Sequence, residues 1–157
     1  MTITPKILIV DDDPAYRQTL TDVLMLNNYE PYAVASGGEA LQAIKEESYA
    51  VALIDLKLED MSGLDVLRGI KDHFPETECI LLTGFSSQDS AIEAINLGAF
   101  SYFRKPYDLE QLQLSIQKAI GSQVANRRIG RLLNNQIAIN QLTLNLGDHK
   151  DSSYLTL

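Results

Sequence analysis

The sequence predicts an α/β protein built on a doubly wound, five-stranded parallel sheet with helices on both faces. Three observations carry this reading. Short apolar runs alternate along the chain with segments whose apolar residues recur at helical spacing. Two of the runs, 7–10 and 51–54, are apolar throughout, as central strands buried on both faces must be. Residues able to do chemistry cluster at the carboxyl ends of the runs, where open parallel sheets place their sites.

The elements follow in order. "KILIV" (6–10) is the first strand, and Asp11, Asp12 and Asp13 close it. Asp13-Pro14 reads as an N-cap followed by proline at the first helical position. Tyr16, Leu20, Val23 and Leu24 then form the apolar face of helix one. "PYAVA" (31–35) is strand two. "SGGE" (36–39) fits a capping box, Ser36 with Glu39, in which Gly37-Gly38 is taken as loop, and Leu41 and Ile44 mark a shorter helix. "VALID" (51–55) is strand three. Leu64, Leu67 and Ile70 define helix three, which His73 ends at the surface. "CILLT" (79–83) is strand four. Ala91, Ile92 and Ile95 give helix four its apolar face, with Gly98 as C-cap. "FSYF" (100–103) is strand five, and Leu109, Leu112, Ile116 and Ala119 form helix five, with a break expected at Gly121-Ser122.

Composition narrows the class. A hydrophobic fraction of 45% over 157 residues builds a core and excludes global disorder. One cysteine, Cys79, lies inside an apolar run, so no disulfide framework exists and a reducing, cytoplasmic setting is expected. The N-terminal "MTITPK" lacks a signal-peptide core, and no run is long enough to span a membrane. The net charge of −8 is uneven: residues 121–157 hold 4 of the 13 basic residues and only 2 of the 21 acidic ones. The acidic body, residues 1–121, is therefore not expected to bind nucleic acid directly, and "NRRIGR" in the tail reads as a solvated helix face.

The strand ends collect a specific set: Asp11 and Asp12, Asp55, Thr83, and Lys105-Pro106. Asp11, Asp12 and Asp55 make an oxygen-rich nest suited to a hard divalent cation such as Mg²⁺, and a bound cation offsets the repulsion of crowded carboxylates. Caps alone would account for three acids at 11–13 but would leave Asp55 and Lys105 without a task. Gly37-Gly38 lacks the dinucleotide fingerprint, and neither His73 nor His149, placed in a polar turn, has metal-ligand spacing.

This ordered set resembles the receiver domain of bacterial two-component response regulators over about residues 5–120. The matching positions are Asp11-Asp12, Asp55 after "VALI", Gly63 in the following loop, Thr83 after "CILL" and Lys105-Pro106. The resemblance implies a flavodoxin-like sheet of order 2-1-3-4-5. It implies that Asp55 is the phosphoacceptor, attacking a phosphohistidine of a histidine kinase or phosphotransfer protein to form an acyl phosphate. It implies Mg²⁺ held by Asp12, Asp55 and the Lys57 carbonyl, with Asp11 acting through water. It implies further that Lys105 and Thr83 contact the phosphoryl group, that a cis peptide precedes Pro106, and that Tyr102 is the switch aromatic on the α4-β5-α5 face. Such a domain catalyses its own phosphorylation and dephosphorylation and turns over no separate substrate. Gly84 and Phe85 border the acceptor. Phe85 either excludes attacking water or packs with helix four. Glu59 stands where proline is frequent.

Two further expectations concern the rest of the molecule. A rival fold function, a haloacid-dehalogenase-like phosphatase using Asp11 and Asp13 with Thr83 and Lys105, lacks its further acidic pair and gives Asp55 no role. The receiver is set at 1–121. Residues 122–157 are taken as a helical linker or the start of an output or sensory domain, resembling either the run-in to a GAF-type domain or a winged-helix opening, so the chain is expected to be part of a longer protein. Val124, Ile129, Leu133 and Ile137 suggest a helix leaving the receiver and pairing two chains as a homodimer.

Overall fold

The computed structural model describes residues 4–84 and 88–150. The chain divides into two compact units, the first ending at Gln123 and the second beginning at Val124. Among the described residues five strands alternate with five helices: β1 Lys6–Val10, α1 Pro14–Leu26, β2 Glu30–Val34, α2 Gly37–Glu46, β3 Val51–Ile54, α3 Gly63–His73, β4 Glu78–Thr83, α4 Gln88–Asn96, β5 Ser101–Arg104 and α5 Leu109–Lys150. All strands are parallel in the order β2-β1-β3-β4-β5. The two uniformly apolar runs, β1 and β3, are interior strands as expected.

Alternation along the strands explains why both faces need helices. Leu8, Val10, Ala52, Ile54 and Leu81 point to one face and pack with Ala43 and Ile44 of α2, Leu67 and Ile70 of α3 and Ala94 of α4. Ile7, Ile9, Leu53, Ile80 and Leu82 point to the other and pack with Leu20 and Leu24 of α1 and with Leu112, Ile116 and Ala119 of α5. Burying a side chain of this size contributes about 1.5–3 kcal/mol, so the two layers hold the sheet between them.

Caps fix the helix starts. Asp13 accepts from Ala15 N at 2.9 Å, with Pro14 in the first turn of α1. Ser36 accepts from Glu39 N at 3.1 Å. A full capping box, Ser62 with Asp65, opens α3. Gly98 takes φ +99 just past α4, a conformation that costs glycine little.

Five expectations need correction. Gly37 and Gly38 lie in the first turn of α2 and not in a loop; their otherwise orphaned amides donate to the Asp60 carboxylate at 3.0 and 2.9 Å. Gly63 is the first residue of α3. The buried residue of α4 is Ala94, whereas Ile92 and Ile95 are 51% and 53% exposed, because Ala94 and Leu97, three residues apart, set the helix phase against the core. No break occurs at Gly121-Ser122. An interior glycine costs a helix only about 1 kcal/mol, and buried Gln123 donates to the Glu76 carbonyl at 2.8 Å, anchoring the turn that follows. Finally, α5 runs to Lys150, so the segment from 142 to 150 is helical and not the β-hairpin that a winged-helix opening would need there, and His149 lies in this helix and not in a turn. Among the described residues no helix is long and apolar enough to cross a membrane.

Candidate functional site

Parallel register brings the strand ends to one edge of the sheet. Val10 pairs with Ile54, and the amide of Asp55 continues that ladder by donating to the Val10 carbonyl at 2.8 Å. Asp55 is thereby set beside Asp11, which directly follows Val10. At the far side Thr83 pairs with Arg104, and the Lys105 amide donates to the Thr83 carbonyl at 2.8 Å. Main-chain hydrogen bonds, repeated from strand to strand, place the residues before any side chain acts.

Asp11, Asp12 and Asp55 converge: one carboxylate oxygen from each lies within 4.8 Å of the others. Asp11 and Asp55 are buried and Asp12 is partly exposed. Asp11 accepts from the Asp13 amide at 2.9 Å and from Lys105 Nζ at 2.7 Å. Asp55 accepts from the Lys57 amide at 3.2 Å and from Lys105 Nζ at 3.3 Å. The group set fits a hard cation: three carboxylates from two adjacent strand ends, two of whose residues, Asp12 and Asp55, line an open cavity.

The electrostatics follow from burial among like charges. Burial pushes the Asp55 carboxyl above its ordinary range; Lys105 and the Lys57 amide oppose this, and Asp11 adds to it. Burial works against the charged form of Lys105, but its hydrogen bond to Asp11 and the charges of Asp11 and Asp55 outweigh this and raise its pKa. The ammonium therefore stays charged and holds two carboxylates that would otherwise repel.

These groups border a cavity of about 670 Å³ lined by Asp12, Asp55, Lys57, Thr83, Gly84 and Pro106 among others. Thr83 is fully buried at the end of β4. Among the described residues, a Cβ on Gly84 would meet the Lys105 Cβ, at an ordinary 3.9 Å. The Lys105-Pro106 peptide is cis. Tyr102 is not among the cavity's lining residues; it lies on β5, packed against the core, and among the described residues its buried hydroxyl has no hydrogen-bond partner. Phe85 lies outside the described residues.

Sequence reasoning missed three contributors. Tyr16, assigned to the core face of α1, instead lines the cavity and puts its ring 3.9 Å from Lys105 Nζ. Its place in the first turn after the Asp13 cap, beside the strand-one acids, was the available signal. Arg17 donates to the Asp11 carbonyl at 2.6 Å and fastens α1 to the end of β1. Asp60 ties the loop after Asp55 to the N-terminus of α2.

A five-stranded 2-1-3-4-5 parallel sheet whose edge gathers acids, a threonine and a lysine defines a receiver-type signalling module. Residues 7–117 match the family model described as "Response regulator receiver domain", and the chain belongs to that family. It is 33% identical over 132 residues to the "Regulatory protein AtoC" of Escherichia coli (strain K12), covering 84% of this chain and 29% of that one. The chain thus spans less than a third of the length of this curated relative. Among solved structures, it resembles the response regulator protein TrrA from Thermotoga maritima in complex with Mg²⁺-BeF, with a TM-score of 0.68 and 28% identity over 74% of this chain and 99% of that one. It also resembles the beryllofluoride-activated NtrC4 receiver domain dimer, with a TM-score of 0.72 and 30% identity over 75% of this chain and 98% of that one. The haloacid-dehalogenase-like alternative is not favoured. Asp13, its required acid, is exposed and spends its carboxylate on the α1 cap.

Proposed function

We propose that this chain is the phosphoacceptor module of a two-component system, working in the cytoplasm, in which Asp55 accepts a phosphoryl group from a phosphohistidine of a histidine kinase or phosphotransfer protein. The observation that carries the reading is the Lys105 ammonium bridging Asp11 and Asp55 at the edge of the sheet, where Lys105 and Asp55 line the cavity. An Asp55 carboxylate oxygen attacks phosphorus; the P–O bond forms as the P–N bond to the imidazole breaks, and the imidazole keeps the electron pair. The reaction is mostly a matter of positioning and of placing positive charge at the phosphoryl oxygens.

Asp11, Asp12, Asp55 and the Lys57 carbonyl would hold Mg²⁺, which when bound supplies that positive charge. Lys105, held against both Asp11 and Asp55, would supply more. Thr83, at the end of β4, offers its hydroxyl to the phosphoryl group. Gly84 leaves the approach open. The chain modifies itself and turns over no separate substrate.

The signal leaves through α4, β5 and α5. A buried hydroxyl without a partner costs about 1–3 kcal/mol, so the Tyr102 ring sits in an arrangement that a small bias can displace. Phosphorylation supplies the bias by drawing on Thr83, a population shift between two arrangements of the face. Residues 1–121 act as the receiver. Residues 122–157 lead to an output domain or a partner, and two chains pair as a homodimer.

The test is labelling by acetyl phosphate with and without Mg²⁺. Label should appear on Asp55 only with Mg²⁺, Asp55→Asn should take none, and Asp12→Ala should lose most of it. Thr83→Ala should accept phosphate but lose the amide-shift response across residues 88–118 that beryllium fluoride gives the wild type. Label on Asp11 in place of Asp55 would establish the phosphatase reading instead.

A further inference from the structure

The Lys105 side chain has four rotatable bonds and a small, strongly hydrated charge, so two carboxylates do not by themselves fix where its ammonium sits. Asp11 and Asp55 approach Nζ at 2.7 and 3.3 Å. A third wall comes from α1: the Tyr16 ring centroid lies 3.9 Å from Nζ, so the ammonium is enclosed by two anions and one aromatic face. The negative face of an aromatic ring attracts a cation, and it does so more strongly where water is excluded. Here the lysine side chain is only 9% exposed.

Tyr16 is itself held in place. The Asp13 cap and Pro14 fix the first turn of α1. Arg17, the next residue, donates to the Asp11 carbonyl at 2.6 Å and so fastens that turn to the strand end that carries the acid. Behind Tyr16 stands Tyr107, two residues past Lys105, its ring centroid 6.1 Å away and tilted by 43°. The Tyr107 hydroxyl is buried without a partner, and burial near Asp11 and Asp55 pushes its pKa up, so the phenol stays neutral and serves as an apolar backing. Lys105 and Tyr107 flank the same cis proline. The ammonium and the ring that faces it are thus both referenced to one short segment.

We propose that Tyr16 is a positioning residue for phosphoryl transfer: its ring face holds the Lys105 ammonium over the Asp11–Asp55 pair and keeps it within reach of a phosphoryl group arriving at Asp55. The proposal rests on the phosphoacceptor reading above for its consequence, and on the geometry alone for the contact. The interaction uses the ring face and not the hydroxyl, so phenylalanine keeps it and an aliphatic side chain of similar bulk loses it.

Two measurements decide it. In the unsubstituted chain without Mg²⁺, the ε-methylene protons of Lys105 should show ring-current upfield shifts and nuclear Overhauser contacts to the Tyr16 ring; the absence of both overturns the proposal whether or not any variant folds. In Asp55 labelling by acetyl phosphate, Tyr16→Leu should be slower by about tenfold, the size expected for a desolvated cation–aromatic contact. Tyr16→Phe should label within about twofold of wild type, and the upfield shift should persist in Phe and vanish in Leu. A Leu variant as fast as wild type, or a Phe variant as slow as Leu, overturns the proposal. If the wild-type chain takes no label at Asp55, the phosphoacceptor reading fails, while the resonances of Lys105 still decide whether Tyr16 holds it.

Discussion

Gly63 lies so close to Asp55 that a Cβ on it would overlap the Asp55 carbonyl oxygen and come within 2.7 Å of the Leu56 Cα. Its amide also donates to the Leu56 carbonyl at 2.6 Å. The first residue of α3 is therefore packed against the backbone that carries the Asp55 carboxylate. Gly63→Ala forces that backbone to shift. It should lower stability by about 1–3 kcal/mol, as overpacking does, and slow Asp55 labelling more than the stability loss explains. Urea midpoints and labelling rates on the same samples check this; a labelling rate equal to wild type would show that β3 and α3 can separate without moving Asp55.

Gly84 makes the contrasting case. Among the described residues a Cβ there has room, its nearest neighbour being the Lys105 Cβ at 3.9 Å. Gly84→Val should thus keep the melting temperature of the wild type within a few degrees. Its branched side chain extends into the cavity beside Thr83 and should depress labelling at Asp55. Unchanged labelling would mean that the phosphoryl group arrives from another side.

The three converging carboxylates should make stability depend on Mg²⁺. A ligand that binds only the folded state stabilises it by about 2.7 kcal/mol at a hundred times its Kd. For a domain of this size that is a rise of roughly 10 °C in Tm. Chelation should reverse it, and Asp12→Ala should remove the response while leaving the metal-free Tm nearly unchanged or slightly raised, because one of three crowded charges is gone. A Tm indifferent to Mg²⁺ would count against a metal at this edge.

The sheet was legible because two periods coexist in the chain: the uniformly apolar β1 and β3 are interior strands, and helical spacing fills every gap between strands. The strand-end residues were legible for the same reason, since parallel register turns position along a strand into position at the edge. What failed depended on contacts distant in sequence. The phase of α4 is set by Ala94 against the core and not by its larger isoleucines. The fate of Gly121 depends on Gln123 reaching Glu76, 47 residues away. Tyr16 has the spacing of a core residue, and only the return of the chain at Lys105 and Tyr107 turns it toward the site.

Cys79 offers a check on the core. Burial pushes its thiol from an ordinary 9.0 up to about 12. A thiol whose pKa is raised on folding favours the folded state fully below its unfolded pKa. That contribution is lost progressively as pH rises from about 9 toward 12. The native chain should not react with a disulfide reagent at mildly alkaline pH, and the denatured chain should react fully. Its urea midpoint should fall with alkaline pH more steeply than that of Cys79→Ala. Rapid native-state reaction would place Cys79 outside the core.

The tail carries the last prediction. Along α5 beyond Gln123, Val124, Ile129, Leu132, Leu133 and Ile137 are all exposed, Leu132 by 68%. Their spacing of four and five residues, widened by Leu132, makes a stripe close to but not a clean heptad, with the exposed Arg128 and Arg131 among polar neighbours. Helices in proteins draw most of their stability from packing an apolar face, so this exposed stripe calls for an apolar partner. A second copy supplies one in the most economical way, because a two-fold axis lets one face meet itself. Removal of residues 124–157 should convert a dimer to a monomer in analytical ultracentrifugation, with Asp55 labelling preserved, since the residues proposed for phosphoryl transfer all lie before Tyr107. Leu132→Glu with Ile129→Glu should do the same in the full chain by placing like charges across the axis. A full-length chain that sediments as a monomer at high concentration, with and without beryllium fluoride, would leave this stripe to a different partner.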